Sequence, residues 1–480
     1  MAYIGRDTDK ISNVEVLDNI TFDGSSSYTL QKNSVNFTPS SANTLLLSID
    51  GVVQAGNFTV SGSTIDFGTA VAGTSTCDFI LHYGVGLITT PSDGTVTTAK
   101  LADSSVTAAK ITDSTITAAK LASGTVQNQS AFKNIIINGD MSIAQRGTSV
   151  SSISSGATYN TIDRFRFGVN GLGTWTQSQS TDVPSGQGFA KSFKLDCTAT
   201  GTLSASDYLF INYNIEGQHV QYLKKGTSNA ESLTLSFWVK SNKTGIYTLE
   251  LDDNDNNRSI SKTFTIDSAS TWEKKTITFE GDTTGTLDND NNNSLRFYFW
   301  LGSGSDNTSG TLQTSWGSTN NPDRVSSSNV NLADSTSNEF YLTGVQLEAG
   351  TSASDFEFLP VDINLQRCQR YFERTTAVGA SDNYVNFASG VVQGSSYSTY
   401  CFLWKTKKRA NPTMSSTAAS TFLNENGGSF PAGTTINFSQ INKTSVQIDL
   451  NSSSGLTVGN GAILKSNGTY NAYIDASSEL

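Results

Sequence analysis

At 480 residues the chain exceeds the ~250–300 at which single cores stop growing, so more than one domain is expected. Its net charge of −11 argues against a nucleic-acid binder, which needs a basic face, and no apolar run approaches the roughly 20 residues of a membrane span. With 10 % aromatics the chain is too apolar in places for global disorder, despite its surplus of Ser, Thr, Asn and Gly. Short runs of Val, Ile, Thr, Phe and Tyr between Gly, Asn, Asp and Ser clusters predict an all-β protein.

The opening stretch has no apolar h-region, so no secretory signal is expected. Residues 1–30 mix charges (Arg6, Asp7, Asp9, Lys10) with a loose apolar set from Ile11 to Phe22, and read as an arm that orders against something else. Residues 31–91 are more definite. A strand through Thr44-Leu-Leu-Leu-Ser-Ile meets a turn at Asp50-Gly51, Phe58 and Val60 alternate ahead of a turn at Ser61-Gly62, and Cys77-Asp-Phe-Ile-Leu-His-Tyr closes a small β-sandwich. A core of about 60 residues is marginal alone, which points to oligomerisation.

Residues 92–130 repeat every ten positions: Gly94-Thr-Val-Thr-Thr-Ala-Lys-Leu-Ala-Asp, Ser104-Ser-Val-Thr-Ala-Ala-Lys-Ile-Thr-Asp, Ser114-Thr-Ile-Thr-Ala-Ala-Lys-Leu-Ala-Ser. Val96, Leu101, Val106, Ile111, Ile116, Leu121 and Val126 fall five apart. Five residues turn an α-helical side chain by roughly 500°, so successive groups share no face. In a strand an odd step sends them to opposite faces. Neither element buries this pattern within one chain, so the segment reads as a stalk of several identical chains about one axis.

From Phe132 strands follow with clean alternation: Asp163-Arg-Phe-Arg-Phe, Ser192-Phe-Lys-Leu-Asp-Cys, Leu233-Thr-Leu-Ser-Phe-Trp-Val, Leu295-Arg-Phe-Tyr-Phe-Trp-Leu and Phe340-Tyr-Leu-Thr-Gly-Val-Gln-Leu. Residues 131–362 therefore suit a jelly-roll sandwich, with a loop over 303–337 long enough to carry function or disorder. Pro360 marks a boundary, and 363–480 reads as a second, C-terminal β domain. Cys77, Cys197, Cys368 and Cys401 form no CxxC pair and are expected as buried free thiols of a protein made in a reducing cytoplasm.

Three stretches together resemble bacteriophage tail fibre and tail-associated proteins of the short-tailed marine type. They are the opening Met1-Ala-Tyr-Ile-Gly-Arg; the module from Phe37-Thr-Pro-Ser-Ser to Phe58-Thr-Val-Ser-Gly-Ser-Thr-Ile with the decapeptides behind it; and Asn134-Ile-Ile-Ile-Asn-Gly-Asp-Met-Ser-Ile-Ala-Gln-Arg-Gly with Asp163-Arg-Phe, Phe340-Tyr-Leu-Thr-Gly-Val-Gln-Leu-Glu-Ala-Gly and Arg367-Cys-Gln-Arg-Tyr-Phe. Where many such proteins carry Trp after the Asp-Arg pair, this chain has Phe165, so no sugar-stacking role is carried over to it. The resemblance implies an elongated fibre: a virion-docking arm (1–30), a virion-attachment module (31–91), a trimeric stalk (92–130), a carbohydrate-binding-like jelly roll (131–362) and a C-terminal domain. It further implies a homotrimer in the virion tail, assembled in the host cytoplasm, docked to a tail adaptor or nozzle protein and recognising a host-surface glycan. A tailspike enzyme and a structural appendage without a receptor role are the alternatives.

Catalytic motifs are missing from the sequence, and the two histidines, His82 in an apolar strand and His219 beside Gly217, have no nucleophile motif near them, so a non-enzyme is expected. Sugars stack on exposed aromatics. Trp238, Trp300 and Trp404 sit in alternating strands and are expected in the core, whereas Trp175 and Trp316 lie among small polar residues and are the candidate stacking groups, followed by Tyr208 and Tyr213. No cofactor is expected, except that Asp252, Asp253 and Asp255, with Asp288 and Asp290, offer alternating oxygens of the kind a structural Ca²⁺ takes. Lys405-Thr-Lys-Lys-Arg409, the one basic cluster, is expected to be a solvated strand end.

Overall fold

The computed structural model describes residues 14–83, 96–97, 101–102, 105–107, 111, 132–376, 384–468 and 472–480. The chain divides into two compact units, Met1–Lys120 and Leu121–Leu480, and both are built from antiparallel strands, so the protein is all-β and multidomain as expected. Among the described residues no helix is long and apolar enough to cross a membrane.

In the N-terminal unit the strands Val14–Leu17, Cys77–Tyr83, Leu45–Ile49 and Val52–Gln54 form one sheet in that order, and Ser27–Thr29, Thr64–Asp66 and Thr59–Ser61 a second. Asp50 and Gly51 both take positive φ (+50° and +76°), the conformation that a tight hairpin with native twist requires. Leu17, Ile20 and Phe22 join Leu47, Phe58 and Ile80 in the core, so Val14 onward belongs to this module and not to a separate arm. The residues before Val14 lie outside the described set. His82 is buried under the Phe37 ring, 4.9 Å between centroids, with the Glu15 carboxylate 3.6 Å from Nδ1.

The larger unit opens with a two-sheet sandwich. One sheet runs Ser149–Ile153, Thr174–Ser180, Ser192–Ala199, Glu339–Ala349, Leu233–Ser241, Glu273–Phe279. The other runs Gly156–Thr158, Phe165–Asn170, Tyr208–Glu216, Asn293–Ser303, Gly245–Asp253, Arg258–Ile266, Gly317–Ser318. Period-two alternation sends Phe165, Phe167, Ile211, Tyr213, Phe297 and Phe299 inward to one continuous core.

The motif at Asn134–Gln145 pins this sandwich to the C-terminal part of the chain. Asn138 donates from Nδ2 to the carbonyls of Ile143 and Asp163 (2.9 and 3.0 Å), and its backbone N–H donates to Asn364 Oδ1 (3.1 Å). A Cβ at Gly139 would stand 2.0 Å from the Val345 carbonyl oxygen, so only glycine fits there. Asn364 belongs to the helix Val361–Gln369, which begins directly after Pro360. Beyond it, a six-stranded sheet (Phe422–Glu425, Gly461–Ser466, Asn386–Gly394, Tyr397–Leu403, Ser445–Ser452, Gly433–Ser439) packs on a three-stranded one (Phe372–Thr376, Tyr473–Ser477, Thr413–Ser416).

The Asp163-Arg164 pair is a joint. Arg164, with φ +73°, is buried; it pairs with Glu479, donates to the Asn214 carbonyl (2.6 Å) and lies 3.5 Å over the Tyr371 ring. Burial pushes the Asp163 carboxyl up to about 7, with Arg146 pulling it partly back. The basic cluster corrects an expectation: Lys408 is wholly buried and paired with Glu373, and Arg409 donates to the carbonyls of Asn291 (2.7 Å) and Ser478 (2.8 Å). Lys408 and Arg409 are thus structural, whereas Lys405 and Lys407 are exposed as a solvated strand end would have them. Of the four free thiols, Cys77, Cys197 and Cys368 are buried as expected, while Cys401 is exposed.

Candidate functional site

The outer face of the seven-stranded sheet is set by the residues that alternate with its core. Cross-strand pairing aligns Arg166, Asn212, Tyr298 and Glu250 in one row, and Asn214, Arg296 and Asp252 in the next. A third row holds Gly168, Phe210, Trp300 and Thr248. The Phe210 ring lies against Gly168, where a Cβ would come within 2.4 Å of it. Phe210, Tyr298 and Trp300 form an aromatic cluster with Val325, which comes from the long loop. That loop is ordered and covers this part of the face. Arg324 makes a two-point ion pair with the buried Glu250 (2.8 and 3.0 Å) and stands 5.1 Å over Trp300, whose indole N–H also donates to Glu250 (2.9 Å).

Beside this cluster the face opens into a cavity of about 580 Å³ lined by Arg146, Ala157, Thr158, Tyr159, Arg166, Asn214, Asn293, Arg296, Ser477 and Leu480. The sheet supplies its floor, and Ser477 and Leu480 contribute to one wall. Arg166 is held by a single bond from Nε to the Ala157 carbonyl (3.0 Å). Arg296 pairs through Nε with Asp252, and its guanidinium stands 5.5 Å from the Tyr298 ring centroid. Arg146 stacks 3.5 Å over Phe372 and donates from Nη2 to Glu479 (3.2 Å), while its buried Nη1 has no hydrogen-bond partner. The buried Asn293 Oδ1 likewise accepts nothing. The Leu480 main-chain oxygen accepts from Tyr159 Oη (3.1 Å) and Asn214 Nδ2 (2.9 Å). Burial, with Glu479 nearby, pushes the Tyr159 phenol up to about 12, so it remains a donor.

The expected stacking groups lie elsewhere. Trp175 has 0 % exposure, packs edge-on to Phe167 and donates its indole N–H to the Leu172 carbonyl (2.7 Å). Tyr213 is 1 % exposed, stacks on Phe297 and accepts from the Ile137 N–H (2.8 Å). Both are core residues, so the stacking role expected for them is corrected: each polar tip found a buried backbone partner, which let the ring turn inward. Trp316 is half-buried, with its N–H on the Glu280 carbonyl (2.7 Å) and Lys225 Nζ 4.8 Å from its ring. Tyr208 is half-buried on the same sheet face as the cavity, stacked on Phe210. Trp300 and Trp404 are in cores as expected, whereas Trp238 is half-buried.

The acidic loops are also rearranged. Asp252 pairs with Arg296 and Asp253 with Lys225, both buried, so protein cations already neutralise them. Asp255 accepts from the Asp288 N–H (2.9 Å), and Asp290 from the Asn292 N–H (2.8 Å). Among the described residues, no three His, Cys, Asp or Glu side chains are placed to hold a metal ion. Val96, Leu101, Val106 and Ile111 are exposed on the single chain, whereas Ile116, Leu121 and Val126 lie outside the described residues.

Sequence reasoning missed Arg166, Arg296, Tyr159, Asn214 and Asn293. The signal was present in part, because Arg166 and Arg296 are the polar members of alternating Phe-rich strands. What brings them together is pairing across strands 130 residues apart.

No protein-family model and no curated protein matches the chain. Among solved structures, the bacteriophage CBA120 tailspike protein 4 enzymatically active domain is 13 % identical, covering 46 % of this chain and 22 % of its own, with a TM-score of 0.25. The chain thus spans about a fifth of that domain's length. A Family 16 Carbohydrate Binding Module-2 is 14 % identical, covering 36 % of this chain and 84 % of its own (TM-score 0.19). TmCBM61, solved in complex with β-1,4-galactotriose, is 9 % identical over 45 % of this chain and 98 % of its own (TM-score 0.23). At these low scores the likenesses carry no function over to this chain.

Proposed function

We propose that this chain is a homotrimeric bacteriophage tail fibre that binds a host-surface glycan through its larger unit without cleaving it. The observation that carries this reading is the open, hydrogen-bond-rich cavity on the outer face of the seven-stranded sheet. Its volume falls in the ~300–1,000 Å³ range of ligand sites. None of its ten lining side chains is a carboxylate, whereas glycoside hydrolysis needs two carboxyl groups about 5–10 Å apart across the scissile bond. The motifs shared with phage tail proteins supply the phage context, and the exposed apolar groups of the repeat favour chains shared about one axis. In this reading the N-terminal unit docks to a tail adaptor or nozzle protein in the virion, after assembly in the host cytoplasm. Three weak sites on one fibre gain avidity from being linked.

Two measurements on the full chain test it. Sedimentation equilibrium is expected to give three times the 51.2 kDa chain mass, and a monomer overturns the fibre. A glycan array is expected to show binding without release of shorter products. Absence of any glycan binding overturns the receptor role, and turnover overturns the non-enzymatic one.

A further inference from the structure

We infer that the cavity selects an acidic sugar, with Arg166 as the residue that receives its anionic group; this rests on the glycan-binding reading above. Among the described residues Arg166 makes one hydrogen bond, through Nε, and pairs with no carboxylate, so its two terminal nitrogens are left for a ligand at the cavity wall. A planar carboxylate meets such a fork through two parallel bonds, which a neutral hydroxyl does not reproduce. The Arg146 guanidinium adds a second cation beside the same cavity, with its Nη1 3.7 Å from the Asp163 carboxylate. Arg296 adds a third cation, with Asp252 placed at its Nε.

The nearby side-chain carboxylates are already paired. Asp252, Asp163 and Glu479 are partners of Arg296, Arg146 and Arg164, and none of them lines the cavity. The Leu480 main-chain oxygen takes the Tyr159 and Asn214 donors, which leaves the anionic group to the Arg166 side. The unsatisfied Asn293 Oδ1 is an acceptor, and an acidic sugar still carries hydroxyl donors to satisfy it. A bare inorganic anion would leave that acceptor unmet. An uncharged sugar would leave the Arg166 fork unmet. One ligand class answers both.

Calorimetry on the full chain tests this with trigalacturonate, sialyllactose and a sulfated trisaccharide, each beside its carboxyl-reduced or desulfated counterpart. At least one acidic probe is expected to bind at least about tenfold more tightly than its neutral counterpart, and to weaken as salt rises to about 1 M. Arg166→Gln is expected to remove that preference while the melting temperature stays unchanged, and Arg166→Lys to restore only part of it. Equal binding of acidic and neutral probes, or a preference unchanged in Arg166→Gln, overturns the inference and leaves the receptor role standing. If neither these probes nor the glycan array binds, the receptor role fails first. If neutral glycans bind on the array but no acidic probe does, the inference alone fails.

Discussion

Two sheets in this molecule have one face on a core, and their other faces differ completely. The outer face of the seven-stranded sheet carries Arg166, Asn212, Tyr298, Glu250, Arg296 and Asp252, and an ordered loop lays Arg324 and Val325 over its aromatic part. The outer face of the N-terminal four-stranded sheet is apolar instead. Val16, Leu81 and Leu46 align across three strands, Phe79 and Val53 flank Ser48, and Val14 pairs with Tyr83; Val16 is 64 % exposed. Alternation decides which residues share a face, but what covers that face comes from another part of the chain. A covered face can hold buried charge and a shaped cavity, because the cover supplies the partners that buried charge requires.

The largest effects should come from removing that cover. Trp300→Ala should cost about 3–5 kcal/mol in denaturant unfolding of the larger unit, because a fully packed indole and its bond to Glu250 are lost together. Arg324→Met should cost about 3–5 kcal/mol, since Glu250 is left charged and buried without its partner. Adding Glu250→Gln to that variant should recover part of the loss, and a further loss would show that the pair does not act as a unit.

An intermediate effect is a pH dependence centred on Asp163. Its native pKa of about 7 lies above the ordinary 3.8, so the folded state holds a proton that the unfolded chain releases. Its contribution to stability is full below 3.8 and is lost as pH rises through about 7. The melting temperature of the larger unit should therefore fall from about pH 5 to pH 8 by more in the native chain than in Asp163→Asn. Equal slopes would remove Asp163 as the cause. The smallest effect belongs to this apolar face: Val16→Thr should change the stability of the N-terminal unit by about 0.5 kcal/mol or less, because among the described residues the side chain is mostly exposed. A loss of several kcal/mol would show that the face has a cover in solution, and the contrast between the two sheets would disappear.

Much of the fold was legible from residue pattern. The Asp50-Gly51 turn and the alternating strands from Asp163 to Leu347 are where the sequence places them, since turn chemistry and period-two burial act over a few residues. The site was less legible. Trp175 looked exposed among Gly, Thr and Gln, yet the Leu172 carbonyl takes its N–H three residues away and lets the ring enter the core. Asp252 and Asp253 looked like cation ligands, yet their cations are Arg296 and Lys225 of the same chain.

By itself, then, the sequence determined the class of the fold, its alternating Phe-rich strands and the ten-residue periodicity, because each is a local rule of backbone geometry. Only the tertiary structure decided that Asp163 and Arg164 are a buried joint, that Lys408 is internal, and that Arg146, Arg166 and Arg296 line one cavity. Those outcomes depend on which distant strands become neighbours and on where each buried charge finds its partner, and no local pattern encodes either.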